Sequence, residues 1–222
     1  MYKWDMRYST LFFDLDDTLY PPEKGLWQAI KERINLYMAE KLKLPSKEIP
    51  DLRLYYYQTY GTTMRGLQTH FGIDAQDYLD YVHDLPLEDY LDPDPELGSL
   101  LNSLPQKCWI FTNADADHAR RVLERLTIQD CFAGIIDVLA MDFVCKPDPV
   151  AYQRALKTAA VKSVAQCMLF DDTERNLIPA RRLGFSTLRV GAQAGPNQEP
   201  GSPEIIDAES ANPNSAGEIN PG

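Results

Sequence analysis

The sequence predicts an α/β protein, a Rossmann-like parallel sheet with helices on both faces and an inserted helical cap. Three observations predict it. Short apolar runs recur along the chain, helical segments separate the later runs, and one long interval after the first run shows helical spacing alone. Strands that alternate with helices run parallel, because the crossover helix returns the chain to the edge it started from. In such a sheet ligands gather at the carboxyl ends of the strands.

The first strand is read at Thr10–Asp14, within "STLFFDLDDT". The interval 21–94 follows and breaks the alternation. Trp27, Ile30, Ile34 and Tyr37 recur at helical spacing after "PPEKG", a Tyr-rich segment "LRLYYYQTYGTTMRGLQTHFG" comes next, and "DAQDYLDYVHDL" reads as a third helix. Helices inserted directly after the first strand lie above the strand ends and make a cap over a site, with residues 1–20 and 95–191 forming the catalytic core. Tyr55, Tyr56 and Tyr57 are read as helix packing in preference to ligand stacking. The later strands are read at Lys107–Phe111, Ile135–Leu139, Cys167–Phe170 and Ser186–Val190, each a short apolar run bounded by polar or turn residues. Between them Asp117–Leu126, Pro149–Ala160 and Asn176–Leu183 fit amphipathic helices, with Val122, Leu123 and Leu126 on one face of the first. From Gly191 onward the chain has five Pro, five acidic residues and no Lys or Arg, the composition of a disordered tail, so 192–222 is set apart; Ile205 and Ile206 alone offer an anchor for an edge strand.

Bulk composition narrows the partners. A formal charge of -11 opposes a DNA or RNA partner, whose affinity needs clustered Lys and Arg, but leaves small anions open because they respond to the local site. No apolar run approaches the roughly eighteen residues of a membrane span, and "MYKWDMRYST" holds no apolar region of a signal peptide, so a cytoplasmic protein without a membrane partner is expected. The four cysteines form no CxxC pair, and reduced thiols are expected.

Four stretches at strand ends carry the chemistry: "DLDDT" at Asp14–Thr18, "FTNA" at Phe111–Ala114, "CKPDP" at Cys145–Pro149 and "LFDDTERN" at Leu169–Asn176. Carboxylates crowded at the end of a buried strand repel one another and lose solvation unless a cation meets them. Asp14 and Asp16, two apart in an extended chain, point the same way while Leu15 points to the other face. Asp171 and Asp172 end another strand, so carboxylates converge from two strand tips, an arrangement that suits magnesium and its preference for hard oxygen ligands. Thr112 offers a hydroxyl and its neighbours offer backbone N–H groups leading into a helix, where phosphate is well received. Lys146 supplies a cation for both the carboxylates and a phosphate.

These four stretches, in this order, resemble the haloacid dehalogenase superfamily of aspartate-nucleophile phosphatases, over Thr10 to Gly191. Asp14, Asp16 and Thr18 match its first motif, Thr112 with Asn113 the second, Lys146 before Pro-Asp-Pro the third, and Asp171, Asp172 and Asn176 the fourth. The resemblance implies that Asp14 attacks phosphorus and forms an aspartyl-phosphate, and that Asp16 protonates the leaving oxygen and then activates the hydrolytic water. This division of labour needs two carboxyl groups with separated pKa values. It further implies magnesium held by the Asp14 carboxylate, the Asp16 carbonyl and Asp172, with Asp171 either on the ion or behind it. Thr112 and Asn113 bind phosphate oxygens, Lys146 stabilises the charge shared between phosphate and Asp14, and Thr18 and Asn176 support the site; Asn176 stands where many members have a second acid. Dehalogenases lack an acidic residue at the Asp16 position, so Asp16 points to phosphoryl chemistry.

The wider text "IFTNADADHARRVLERLTIQDCF", "KPDPVAYQRAL" and "LFDDTERNLIPARRLGFSTLRVG" is similar to the pyrimidine 5′-nucleotidase subgroup, which implies a nucleoside monophosphate as the small phosphorylated substrate. A phosphatase or phosphomutase for other small metabolites, and a non-catalytic phosphate-binding module, stay open as alternatives. His70, His83 and His118 have no partner at i+4 and are expected at the surface or in the cap; His118, soon after Thr112, keeps a lesser claim on substrate contact. Asp115 and Asp117 are read as a turn and helix N-cap, Arg120, Arg121 and Arg125 as a solvated face, and Arg53 and Arg65 as surface pairs with a secondary claim on substrate. Asp17 either supports the turn after Asp16 or faces water.

Overall fold

The structure is a computed structural model that describes residues 7–191; the tail expectation at 192–222 lies outside the described residues. Among them a five-stranded sheet runs in the order β3-β2-β1-β4-β5, every neighbouring pair parallel. The strands are β1 (Thr10–Phe13), β2 (Lys107–Phe111), β3 (Ile135–Ile136), β4 (Cys167–Asp171) and β5 (Ser186–Arg189). After β1 the chain forms four helices in succession, α1 (Leu26–Glu40), α2 (Ile49–Tyr60), α3 (Thr63–Phe71) and α4 (Ala75–His83). They are the predicted helical insertion. The remaining helices are α5 (Pro95–Asn102), α6 (Ala116–Leu126), α7 (Pro149–Thr158) and α8 (Glu174–Leu183).

Alternation along the strands builds a core on each face of the sheet. Leu11 and Phe13 of β1, with Cys108 and Ile110 of β2, point to one face and meet Ala119, Val122, Leu123 and Leu126 of α6. Phe12 and Phe111 point to the other, where Leu169 joins Ala151, Tyr152 and Ala155 of α7 and Leu177 and Ala180 of α8. Strands covered on both sides have no polar face, which is why the central ones read as continuous apolar runs. The first core continues without a break into the insertion, through Leu19, Tyr20, Leu26 and Ile30.

Two boundaries and one missed helix differ from the expectation through a polar side chain. The strand expected at Ile135–Leu139 stops after two residues because Asp137 turns inward, accepting from the backbone N–H groups of Ala116 (2.9 Å) and Ala140 (2.8 Å). Its carboxylate thereby ties the end of β3 to the start of α6. That helix begins at Ala116, since Asp115 is its N-cap and accepts from the His118 N–H at 2.8 Å; Asp117 is exposed in the first turn and pairs with Arg120. The helix α5, absent from the sequence reading, starts at Pro95 behind an Asp94 cap that accepts from Leu97 N–H.

Within the insertion, α1 and α4 pack through aromatic edges. The Tyr37 ring stands edge-on to Tyr78 at 5.1 Å and to Tyr81 at 5.4 Å. Of the tyrosine run, Tyr56 is 2% exposed and packs between α2 and α3, whereas Tyr55 (50%) and Tyr57 (41%) are largely open. The packing reading holds for Tyr56 and, through ring contacts with Tyr56 and Tyr60, for the more exposed Tyr55, but not for Tyr57, which sets its ring against the Arg175 guanidinium. Tyr56 lies against Gly66 so closely that a Cβ on Gly66 would come within 2.2 Å of Tyr56 Cγ. Gly→Ala in a helix interior ordinarily gains about 1 kcal/mol. Here Gly66→Ala is expected to lose about 1–3 kcal/mol in urea denaturation through overpacking; a gain would mean that α2 and α3 separate freely.

Two of the arginines expected on a solvated face of α6 instead fasten the segment that leads from α4 to α5. Arg121 donates to the carbonyls of His83 (2.8 Å) and Leu85 (2.6 Å), and Arg125 to that of Leu91 (2.6 Å). Carbonyls in an irregular segment lack ladder partners, so a guanidinium fork is well matched to them. Among the described residues no helix is long and apolar enough to cross a membrane.

Candidate active site

Because all five strands are parallel, their carboxyl ends share one edge, and the four chemical stretches meet there. Asp14 follows β1, its N–H still paired to the Phe170 carbonyl of β4 at 2.9 Å. Thr112 follows β2, and its N–H donates to the Ile136 carbonyl at 3.0 Å. Asp171 is the last residue of β4, with Asp172 beside it. Lys146 stands just before α7.

Lys146 is the electrostatic centre. Its side chain is 1% exposed, and its Nζ donates to Asp14 Oδ1 (2.8 Å) and Asp171 Oδ2 (2.7 Å) with the Phe111 ring 5.1 Å away. Burial alone would lower the lysine's pKa, but Asp14 and Asp171 outweigh it and hold the ammonium charged well above its ordinary range. One cation does not balance two carboxylates. Burial, reinforced by Asp171, pushes the Asp14 carboxyl upward despite Lys146. Asp171 is held further by the Thr173 N–H (2.9 Å) and by Asn176 Nδ2 (3.0 and 3.1 Å), so Asn176 is a prop for Asp171. Asn113 ties down the lysine loop: its amide donates to the Lys146 carbonyl at 2.9 Å and accepts from the Lys146 N–H at 2.8 Å. The Thr112 hydroxyl accepts from Ala114 N–H at 3.0 Å.

Asp16 lives in a different environment. Its Oδ1 accepts from the Tyr20 hydroxyl at 2.5 Å and from His118 Nε2 at 3.0 Å. Burial would raise its pKa, but His118, Tyr20 and then His83 outweigh that and hold the carboxyl below its usual range. Two carboxyl groups two residues apart are thus driven in opposite directions. Asp17 adopts a left-handed backbone (φ 58°), and its carboxyl is pushed up to about 6 by burial, then by Asp172 and Asp16. Its Oδ1 and the Thr18 hydroxyl are buried without a hydrogen-bond partner among the described residues.

The site is short of positive charge in a way that a cation would relieve. Carboxylate oxygens of Asp14, Asp171 and Asp172 lie within 4.8 Å of one another. Burial and Asp171 push Asp172 upward as well. An all-oxygen donor set at strand ends fits a hard divalent ion, with Asp171 already engaged by Lys146 and Asn176 and Asp172 accepting from the Thr173 hydroxyl at 3.1 Å.

A cavity of about 490 Å³ opens above these residues. Asp14, Asp16, Asp17, Thr112, Asn113, Lys146, Asp172 and Asn176 form its floor. Its walls come from the insertion and are mostly apolar: Trp27, Ile30, Leu54, Tyr57, Tyr78 and Val82. Arg53 and Lys31 are the wall's cations. Arg53 donates through Nη1 to Asn35 Oδ1 (2.8 Å) and the Lys31 carbonyl (3.2 Å), while its Nε is buried with no partner among the described residues. It is no surface pair. Arg65 does not line the cavity and bonds Gln68.

The histidines divide. His70 is exposed and bonds the Tyr60 hydroxyl, as expected of a surface residue. His83 and His118 are buried, with rings stacked at 4.1 Å, and His83 Nδ1 bonds Asp115 Oδ2 at 2.6 Å. His118 departs from the surface-or-cap reading, and His83, though in the insertion as that reading allowed, is buried and not at the surface, because their partners are carboxylates 102 and 32 residues away. Spacing along the chain carries no such signal. Only the place of His118 soon after Thr112 hinted at it.

Comparison with known proteins agrees with this geometry. The profile of the haloacid dehalogenase-like hydrolases matches residues 8–184. "Phosphate metabolism protein 8" of Saccharomyces cerevisiae is 32% identical over 195 residues, which cover 82% of this chain; the match spans only 61% of the yeast protein's length. L-2-haloacid dehalogenase from Xanthobacter autotrophicus shares the fold at a TM-score of 0.53 and 20% identity, over 82% of this chain and 77% of that one. The hydrolase YfnB from Bacillus subtilis, solved with magnesium, does so at 0.54 and 17%, over 86% and 90%. With four motif stretches gathered on one sheet edge and a profile match across most of its length, the chain belongs to the haloacid dehalogenase-like hydrolase family.

Proposed function

We propose that this hydrolase is a magnesium-dependent phosphomonoesterase that works through an aspartyl-phosphate, with nucleoside monophosphates, pyrimidine ones first, as its substrates. The observation that carries the reading is Asp16. A departing halide needs no proton, whereas a departing alkoxide does, and Asp16 is a carboxyl two residues from Asp14, lining the same cavity and oriented by two donors. Asp14 attacks phosphorus as the P–O bond to the leaving group breaks. Alone, Asp14 is pushed toward its neutral form and Asp16 toward its charged form, the reverse of these roles. Asp14 would ionise beside a cation, and the negative charge of a bound phosphate would raise Asp16. Asp16 then gives the leaving oxygen its proton and, as carboxylate, takes one from the water that cleaves the acyl-phosphate, which returns Asp14 to its starting state. Lys146 and Thr112 hold the phosphate oxygens through this exchange. Magnesium, held by Asp14, Asp172 and the Asp16 carbonyl, would draw negative charge away from the phosphate oxygens.

The cavity supports a leaving group of nucleoside size. Its volume is in the range of small-molecule sites, and Trp27, Tyr57 and Tyr78 give flat apolar surface. The unpartnered Arg53 Nε favours a ring that carries a hydrogen-bond acceptor. The name of the yeast relative, a phosphate metabolism protein, points the same way.

The test is phosphate release from purified protein across nucleoside monophosphates, sugar phosphates and a generic aryl phosphate, with magnesium and with a chelator. Magnesium-dependent release that peaks on UMP or CMP is the expected result. A peak on sugar phosphates would keep the chemistry and discard the nucleotide, and isomerisation without release would make the chain a mutase.

A further inference from the structure

The stacked histidines do no work in the chemistry just described, yet they form a buried, hydrogen-bonded pair that joins the insertion to the sheet core. His83 closes the C-terminal end of α4 in the insertion, and His118 lies in the first turn of α6 in the sheet core. Both rings are buried and parallel to within 16°. The donors follow from their partners. Asp115 is held below its usual range, burial being outweighed by the His83 bond, so as a carboxylate it can only accept, and His83 Nδ1 carries the proton. Asp16 Oδ1 accepts from the Tyr20 hydroxyl at 2.5 Å, and His118 Nε2–H, 3.0 Å from the same oxygen, donates to it. Asp115 also caps α6 through the His118 N–H, so one carboxylate fixes both the histidine from the insertion and the backbone of the histidine from the core.

Tyr20 and His118 donate to the same oxygen of Asp16, Oδ1. A carboxyl pinned at one oxygen has a defined rotamer, and Oδ2 remains as the oxygen that exchanges a proton with substrate. We infer that His118 and Tyr20 are positioning residues that aim Asp16, and that His83 and Asp115 lock His118 in place, so that packing of α4 against α6 is built into the alignment of the acid. This rests on the phosphomonoesterase reading. It places four residues without a role in the chemical steps, Tyr20, His83, Asp115 and His118, in control of one proton transfer, His83 also lining the cavity.

A proton donor matters in proportion to how basic its leaving group is. The experiment therefore compares kcat/KM, which reports the steps through the first P–O cleavage, for a nucleoside monophosphate and for p-nitrophenyl phosphate. The first expels a strongly basic alkoxide and the second a weakly basic phenolate. In His118→Leu the nucleotide value is expected to fall about 100-fold while the aryl value falls less than about fivefold, and His118→Gln, which returns an amide donor near the Nε2 position, is expected to recover most of the loss. Tyr20→Phe removes a single hydroxyl and tests the same differential if His118→Leu does not fold. Equal losses on the two substrates, or none, overturn the inference. A wild-type protein inactive on both overturns the phosphomonoesterase reading and this inference with it.

Discussion

Asp14→Asn is expected to abolish phosphate release, by at least about 10⁴-fold in kcat, while the protein stays folded. The amide keeps the shape of the carboxylate but has no lone pair basic enough to form the acyl-phosphate. Stability is expected to hold or rise without metal, because burial and Asp171 already disfavour the charged form of Asp14. The sign follows from linkage. The folded carboxyl is raised above its unfolded value, so the folded state binds the extra proton, and in the wild type this group's contribution falls as pH rises from the unfolded pKa through the folded one. The variant lacks that slope. Calorimetry from acid to mildly alkaline pH, without and with magnesium, checks both halves: a smaller fall with pH and a weaker rise in Tm on adding the ion. Residual turnover above about 1% of wild type would show that Asp14 is not the nucleophile.

How this site forms was legible wherever sequence order and proximity coincide at a strand end. The strands β1, β2 and β4 are apolar on both faces, so their runs could be read directly, and a parallel sheet necessarily brings Asp14, Thr112 and Asp171 to one edge. β3 was read too long because nothing in "IIDVL" reveals that Asp137 caps the helix beginning at Ala116. α5 was not read because its eight residues run straight out of the acidic, Pro-containing stretch before them. The pairing of Lys146 with Asp14 and Asp171 could be anticipated from charge alone. The pairing of His118 with Asp16 could not, since a histidine on an amphipathic helix gives no sign of which face will be dry. Arg121 and Arg125 were misread for the related reason that a guanidinium finds carbonyls of irregular backbone as readily as water, and irregular backbone leaves no periodic trace.

Lys146→Met is expected to damage the fold as well as the chemistry, in contrast to Asp14→Asn. The methionine fills similar volume, but the change leaves Asp14 and Asp171, both buried, facing each other without their shared cation. Breaking a buried ion pair by removing one partner costs about 3–5 kcal/mol. Because a carboxyl can take up a proton to escape, the loss should be smaller in acid and grow as pH rises, which chemical denaturation at two pH values would show. Adding Asp171→Asn separates charge from packing. Asn176 and the Thr173 N–H still surround that position, so the double variant is expected to regain at least half of the lost stability while phosphate release remains absent. Losses that simply add would mean that Lys146 stabilises the core through its methylene packing against Phe111 and not through charge. Recovery of stability without activity would locate the lysine's two roles in one atom: its Nζ keeps two carboxylates together in a dry site, where their crowding would favour a further cation, and the same positive charge would hold a phosphate oxygen.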